Sequence, residues 1–272
     1  MSADLRAVEV SRGERVRAVV RGVGEVLITA GLVLLLFVAW QLWWTDVEAN
    51  RAQAAITDDL HELWGDEARK PRPAPTAEPA EPPPPPPDYG PPPEVPDPES
   101  GSAFGIVHVP RFGADFQPRP IVEGTDLALL EDGVGHYEKT ALPGQVGNVA
   151  LAGHRVTYGR PFNLIAELVP GDAVVLETAD AWFTYRMRSS TIVTPERVDV
   201  VAPVPEQPGA VPTERLLTLT ACHPMYSARE RFIVYSVFES WQPKSAGEPA
   251  SLALPASALP APDGSTSSTT GE

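Results

Sequence analysis

The sequence predicts a mainly β domain, a barrel or sandwich of short strands, carried behind an apolar N-terminal helix and a proline-rich spacer. Three observations lead there. Between residues 102 and 242, short runs rich in Val, Ile, Phe and Tyr recur between Gly, Pro and Asp punctuation. Residues 26–44 form one uncharged, apolar run. About half of the 32 prolines crowd between residues 71 and 98. The chain has 272 residues and a formal net charge of -15. That balance argues against nucleic acid as a partner, because holding phosphates takes a basic face.

The N-terminal run reads VLITAGLVLLLFVAWQLWW, long enough as a helix to cross about 30 Å of hydrocarbon. Arg12, Arg15, Arg17 and Arg21 precede it, while Asp46 and Glu48 follow. The positive-inside rule then puts residues 1–22 in the cytoplasm and everything after Thr45 outside. Trp40, Trp43 and Trp44 gather at the outer end, where indole rings favour the interface. A cleaved signal peptide shares the basic start, but this run exceeds a signal core and lacks a small-x-small site. Residues 23–44 therefore read as an uncleaved anchor, with 26–44 in the bilayer.

Residues 45–101 read as a stalk and linker. The first part is helical in composition, with apolar positions too sparse for a core. The 71–98 stretch contains PPPPPP and PPP runs that favour polyproline II. At about 3.1 Å per residue it spans on the order of 80–90 Å. Glu78, Glu81, Asp88, Glu94, Asp97 and Glu99 keep it solvated. Residues 244–272, mostly Ala, Ser, Pro, Thr and Gly, read as a disordered tail. That leaves 102–243 as the folded domain, long enough to bury a core. Its expected strands are 104–109, 147–152, 173–178, 182–193, 215–221 and 232–238. Residues 125–130 and 161–168 are expected to be short helices, opened by Thr125 and Pro161 respectively.

The chemistry centres on Thr218-Leu-Thr-Ala-Cys-His-Pro224. Alternation of Leu and Thr suits a strand that leads into Cys222, and Pro224 ends it. Cys222 is the single cysteine, so no intramolecular disulfide or cysteine-rich metal site is possible. A lone thiol kept in an oxidising compartment points to use. Thiol nucleophiles need a base or a positive neighbour to form thiolate, a proton donor for the leaving group, and an oxyanion donor. Of the five histidines, His61 lies in the stalk and His108 inside a strand. His223 adjoins Cys222 and points to the opposite side of an extended chain. His154, ending a small-residue strand at Gly153, and His136, in Gly135-His-Tyr137, both remain, with His154 preferred. Arg229 and Arg231 share one face at the start of the last strand, and parity does not choose between them.

Taken together these motifs resemble the sortase family over most of residues 102–242. The matching residues are Leu219-Thr-Ala-Cys222, Leu151-Ala-Gly-His154 and Arg231-Phe-Ile-Val, in the family's order behind an anchor. Gly135-His-Tyr137, Ala141-Leu-Pro-Gly144, His154-Arg-Val-Thr-Tyr-Gly-Arg-Pro-Phe162 and Cys222-His-Pro224 are similar to class E members from high-GC Gram-positive bacteria. The resemblance implies a closed eight-stranded barrel and a two-step acyl transfer at a Thr–Gly bond, in a Leu-Ala-x-Thr-Gly or Leu-Pro-x-Thr-Gly sorting signal. It implies Cys222 as nucleophile, His154 as general acid and base, and Arg231 on the substrate backbone and oxyanion. Tyr137 and Thr220 become substrate contacts, Tyr137 favouring Ala over Pro before the variable position.

The implied partners are exported proteins with such a signal, and a peptidoglycan-precursor or pilin amine as acceptor. No cofactor is expected. Asp180, Glu196, Asp199 and Glu206 lack calcium-ligand spacing, so no required metal is expected either. Tyr89, in Asp88-Tyr-Gly90, is not expected to plug the site. Two other readings are an L,D-transpeptidase-like wall enzyme, whose Ser-x-Gly-Cys-Arg pattern is missing, and a non-catalytic wall scaffold with the same barrel.

Overall fold

A computed structural model describes residues 12–65 and 87–252 of the chain. Residues 1–11, the proline-rich 66–86 and the tail 253–272 lie outside the described residues, with the expectations made for them. The chain divides into two units at Thr45. The long helix α1 (Arg12–Leu63) runs through both. In the first unit its apolar side chains, among them Leu27, Leu32, Leu35 and Phe37, are exposed. Trp40 stacks on Trp44 with ring centroids 6.0 Å apart. This part of the helix is long and apolar enough to cross a membrane.

The second unit is a closed barrel of eight strands. They are β1 (Ala103–His108), β2 (Arg119–Glu123), β3 (Val134–His136), β4 (Gly147–Ala152), β5 (Ala173–Glu177), β6 (Ala181–Val193), β7 (Arg215–His223) and β8 (Glu230–Pro243). Around the barrel the order is β1-β2-β3-β4-β7-β8-β6-β5. The β2–β3 and β4–β7 pairs are parallel, and the others antiparallel. Closure leaves no free edge for pairing with other chains.

Alternation fills the interior. Val149 and Leu151 of β4, Leu217, Leu219 and Ala221 of β7, and Val234 of β8 pack with Phe183, Tyr185 and Phe162 in the core. Thr218, Thr220 and Cys222 therefore occupy the outer face of β7. The six expected strands are present. The structure adds β2 and β3, whose sequences, Arg-Pro-Ile-Val-Glu and Val-Gly-His, are short and interrupted by Pro120 and Gly135. The two expected helices are only 3-10 turns, Leu129–Glu131 and Ile165–Glu167. Segments this short do not repay helix nucleation.

The segment expected to be a free stalk instead packs on the barrel. Ala49, Gln53 and Leu60 of α1 are buried in the second unit. His61 Nε2 lies 3.2 Å from Glu177 Oε1. Polar side chains make much of this contact, which is why apolar patterning does not reveal it. The buried carboxylate of Glu177 also meets His108 Nε2 at 2.6 Å and Lys244 Nζ at 2.6 Å. Burial alone would raise its pKa. Hydrogen bonds from His108, His61 and Lys244 outweigh that and hold it far below the usual carboxylate range. At the start of the segment expected as a tail, Lys244 is tied to Glu177, and Leu252 packs on Ala173, Val175 and Trp182. Within the spacer, Val95 packs against the core.

Candidate active site

Two strand registers assemble the site. Parallel β4 and β7 align Ala150 with Thr218 and Ala152 with Thr220, and Gly153 N donates to Thr220 O at 3.1 Å. β4 ends at Ala152, and His154 follows two residues later, as Cys222 follows Thr220 on β7. Antiparallel β8 sets Arg231 directly opposite Cys222 on the other side. Residues in register share a face, so Cys222 and Arg231 lie side by side on the outside of the barrel, and His154 follows Ala152, the β4 partner of Thr220 on that face. Arg229 precedes β8 and pairs with nothing on β7. The register thus separates two arginines that parity alone did not.

Cys222 is half-buried and unoxidised. Beside it, Thr220 is buried, with its Oγ1 in a 3.2 Å hydrogen bond with the Tyr137 hydroxyl. Thr218 Oγ1 donates to Asn148 Oδ1 at 2.8 Å, and Asn148 Nδ2 to Ala202 O at 3.1 Å. The 194–214 connection therefore covers the far end of this face. It walls the outer side of β8 as well, where Val200 packs on Ile233. The outer face of β7 from Thr220 to Cys222, with Tyr137 beside Thr220, is the candidate substrate groove. Arg231 Nη1 donates to Ala228 O (2.9 Å) and Glu230 O (3.0 Å), so its guanidinium is braced by the loop after Cys222.

His154 sits where β4 ends. Gly153 before it is required by packing, since a Cβ there would meet Phe162 Cδ2 at 2.6 Å. Phe162 N closes the following loop by donating to His154 O at 3.0 Å. The His154 ring lies 5.0 Å from that of Tyr158. Its Nε2 is buried and has no hydrogen-bond partner among the described residues. Burial lowers the imidazole pKa, and the nearby Glu131 carboxylate partly opposes this.

His136, the other histidine left open, is 1% exposed and engaged on both ring nitrogens. Nδ1 donates to Glu123 Oε2 at 2.6 Å, and Nε2 faces Ala141 O and Thr140 Oγ1. It points into the barrel and serves the core. His223 accepts at Nδ1 from Arg155 Nη1 at 2.9 Å, away from Cys222's face. Tyr89 rests on Trp241, whose Nε1 donates to Gly90 O. Ten residues of β8 separate Trp241 from Arg231, roughly 30 Å of strand, so Tyr89 does not reach the groove.

Sequence reasoning missed Arg155. It is buried, and its Nη1 donates to Cys222 O at 3.2 Å while its guanidinium lies 5.9 Å over the Phe232 ring. It ties the loop after His154 to the strand that carries Cys222. Its position directly after His154, inside the matched nine-residue stretch, was the available signal.

The closed eight-stranded barrel, with its lone cysteine near the end of β7, Arg231 opposite it on β8 and His154 just past β4, is of the sortase type. The sortase domain family model matches residues 107–239. Sortase SrtE1 of Streptomyces coelicolor is 37% identical over 264 residues, 92% of this chain and 67% of that protein. Sortase SrtE2 of the same organism is 34% identical, over 78% of this chain and 79% of its own length. The structure of the SrtA sortase from Actinomyces oris superposes with a TM-score of 0.58 at 39% identity, covering 60% of this chain and 94% of that one. The chain belongs to the sortase family, with class E sortases among its relatives, and is a cysteine transpeptidase.

Proposed function

We propose that the chain is a membrane-anchored transpeptidase that cleaves the Thr–Gly bond of a Leu-Ala-x-Thr-Gly or Leu-Pro-x-Thr-Gly sorting signal and passes the acyl group to a cell-wall amine. The pairing of Cys222 with Arg231, with His154 just past the β4 partner of Thr220, carries this reading. The Cys222 thiolate attacks the threonine carbonyl carbon. Arg231 faces the developing oxyanion and the substrate backbone. As the C–N bond breaks, the His154 imidazolium gives its proton to the departing glycine amine, leaving a thioester on Cys222. An amine of a peptidoglycan precursor or a pilin then attacks the thioester. His154 takes up the amine's proton, and Cys222 leaves as thiolate.

The unpartnered buried Nε2 of His154 supports a donor role, since a polar atom left so in the resting site gains a partner when substrate arrives. Tyr137, hydrogen-bonded to Thr220 on the groove floor, is the contact that favours Ala over Pro, by engaging a substrate amide that proline lacks. Residues 26–44 anchor the chain, with the N-terminus cytoplasmic and the barrel outside. The proline-rich stretch acts as a spacer.

The test is mass spectrometry of the full chain in detergent with peptides bearing each signal and triglycine as acceptor. Cleavage after Thr, transfer to triglycine and loss of both in Cys222→Ala are expected. A folded protein with a reactive Cys222 that cleaves neither peptide would refute the sorting assignment and leave the scaffold reading.

A further inference from the structure

We propose that Gln53, on the barrel-packed end of α1, is a positioning residue for His154. The inference rests on the reading of His154 as the acid and base. Asp46, Asn50 and Gln53 are spaced i, i+4, i+7 and share one face of α1. That face meets the loop after His154. Gln53 is 1% exposed, which is unusual for a glutamine on a surface helix. Its carboxamide explains the burial. Nε2 donates to Tyr158 O at 2.9 Å and to Glu131 O at 2.9 Å. Oε1 accepts from Arg119 Nη1 at 2.9 Å.

The neighbours repeat the grip on the same loop. Arg119 Nη1 also donates to Asn50 Oδ1 at 2.7 Å, and Nη2 to Gly159 O at 2.8 Å. Asp46 Oδ1 accepts from Gly159 N at 3.3 Å, and Oδ2 pairs with Arg160 Nε at 3.0 Å. Three consecutive loop residues are thus held by one helix face or by its arginine partner. They need holding. Tyr158, Gly159 and Arg160 have φ of 52°, 73° and 50°, a left-handed stretch that non-glycine residues adopt only when held. Gly159 also lets the helix approach, since a Cβ there would lie 2.9 Å from Asn50 Oδ1.

The two residues whose carbonyls Gln53 holds are the two that face His154. The Tyr158 ring covers the imidazole, and its hydroxyl donates to the Glu131 carboxylate. Glu131 and Tyr158 are the titratable groups against His154 from these loops, with Cys222 on the neighbouring β7. Releasing Gln53 frees both carbonyls, loosens Tyr158 and lets water onto the imidazole. Since burial dominates the downward shift of the His154 pKa, that pKa then rises toward its ordinary value.

The experiment uses the full chain in detergent. His154 is titrated by NMR of 13C-labelled histidine rings in a Cys222→Ala background, and peptide cleavage is followed with Cys222 present. Gln53→Ala is expected to raise the His154 pKa and to lower kcat by on the order of 10- to 100-fold, with KM nearly unchanged. Arg51→Ala, at an exposed position of the same helix, leaves both as they were. A Gln53→Ala protein with lower Tm but unchanged His154 titration and kcat would overturn the proposal. If Gln53→Ala does not fold, Tyr158→Ala must give the same rise in His154 pKa, and an unmoved titration there overturns it equally. Cleavage surviving in His154→Ala would instead remove the acid and base assignment, a separate failure from that of the Gln53 linkage.

Discussion

Replacing Glu177 by Gln keeps the shape of the side chain and removes the charge on which His61, His108 and Lys244 converge. The Glu177 side chain is 1% exposed and that of Lys244 15%. The Lys244 ammonium lies 4.7 Å over Trp182 and 5.3 Å over Trp64. Breaking a buried pair by removing one partner costs about 3–5 kcal/mol, and the lower end applies because Lys244 retains some water. For a folded unit of this size each kcal/mol shifts Tm by about 2–4 °C, so Glu177→Gln should lower Tm by about 6–12 °C at pH 7. The carboxylate's folded pKa is depressed, so its stabilisation is fully present above the unfolded value near 4.3 and is lost as pH falls toward the folded one. Between pH 5 and pH 3 the gap between the two proteins should narrow by about 2 kcal/mol. Thermal unfolding by circular dichroism at pH 7, 5 and 3, on the full chain in detergent, reads all three values. A loss under about 2 °C at pH 7, or a gap equally wide at pH 5 and pH 3, refutes the reasoning.

Other perturbations bear on the groove. Arg155→Ala removes a charged donor from Cys222 O and His223 Nδ1, so we expect about 1.5–3 kcal/mol of destabilisation together with slower cleavage. Denaturant titration and kcat read these, and unchanged values in both would show that the contact is idle. Gly153→Ala forces Phe162 aside and should cost about 1–3 kcal/mol, partly recovered in Gly153→Ala/Phe162→Leu. Absence of recovery in the double variant's Tm would place the strain elsewhere. Tyr137→Phe loses one neutral hydrogen bond, and the ratio of kcat/KM for Ala- over Pro-containing signals should fall about 2- to 10-fold. An unchanged ratio would remove Tyr137 from the specificity reading.

Much of the barrel was legible because its long strands alternate. Leu217, Leu219 and Ala221 against Thr218, Thr220 and Cys222 announce both the strand and the side on which the thiol emerges. β2 and β3 were not legible, since Pro120 and Gly135 break any pattern and both strands exist through pairing with distant partners. Cys222 as candidate nucleophile was legible from its being the single cysteine at the end of the Leu219-Thr-Ala-Cys222 strand. Spacing favoured His154 over His136 without excluding the latter, because both stand beside glycine. The tertiary structure separates them further: His136 turns inward onto Glu123, while His154 follows the end of β4, whose last residue pairs with Thr220.

By itself, then, the sequence determined the apolar helix, the proline-rich composition of residues 71–98, the β character of the domain and the position of its single thiol. These depend on local composition and on periods of two residues, which need no knowledge of distant partners. Tertiary structure decided the ring order of the strands, which arginine faces Cys222, and that the helix after Thr45 lies on the barrel. The last of these rests on Gln53, Asn50, Asp46 and His61 finding polar partners 66 or more residues away. Polar residues recur on every solvated face of a helix, so their spacing does not mark which of them meet a distant partner, and only the folded chain reveals that.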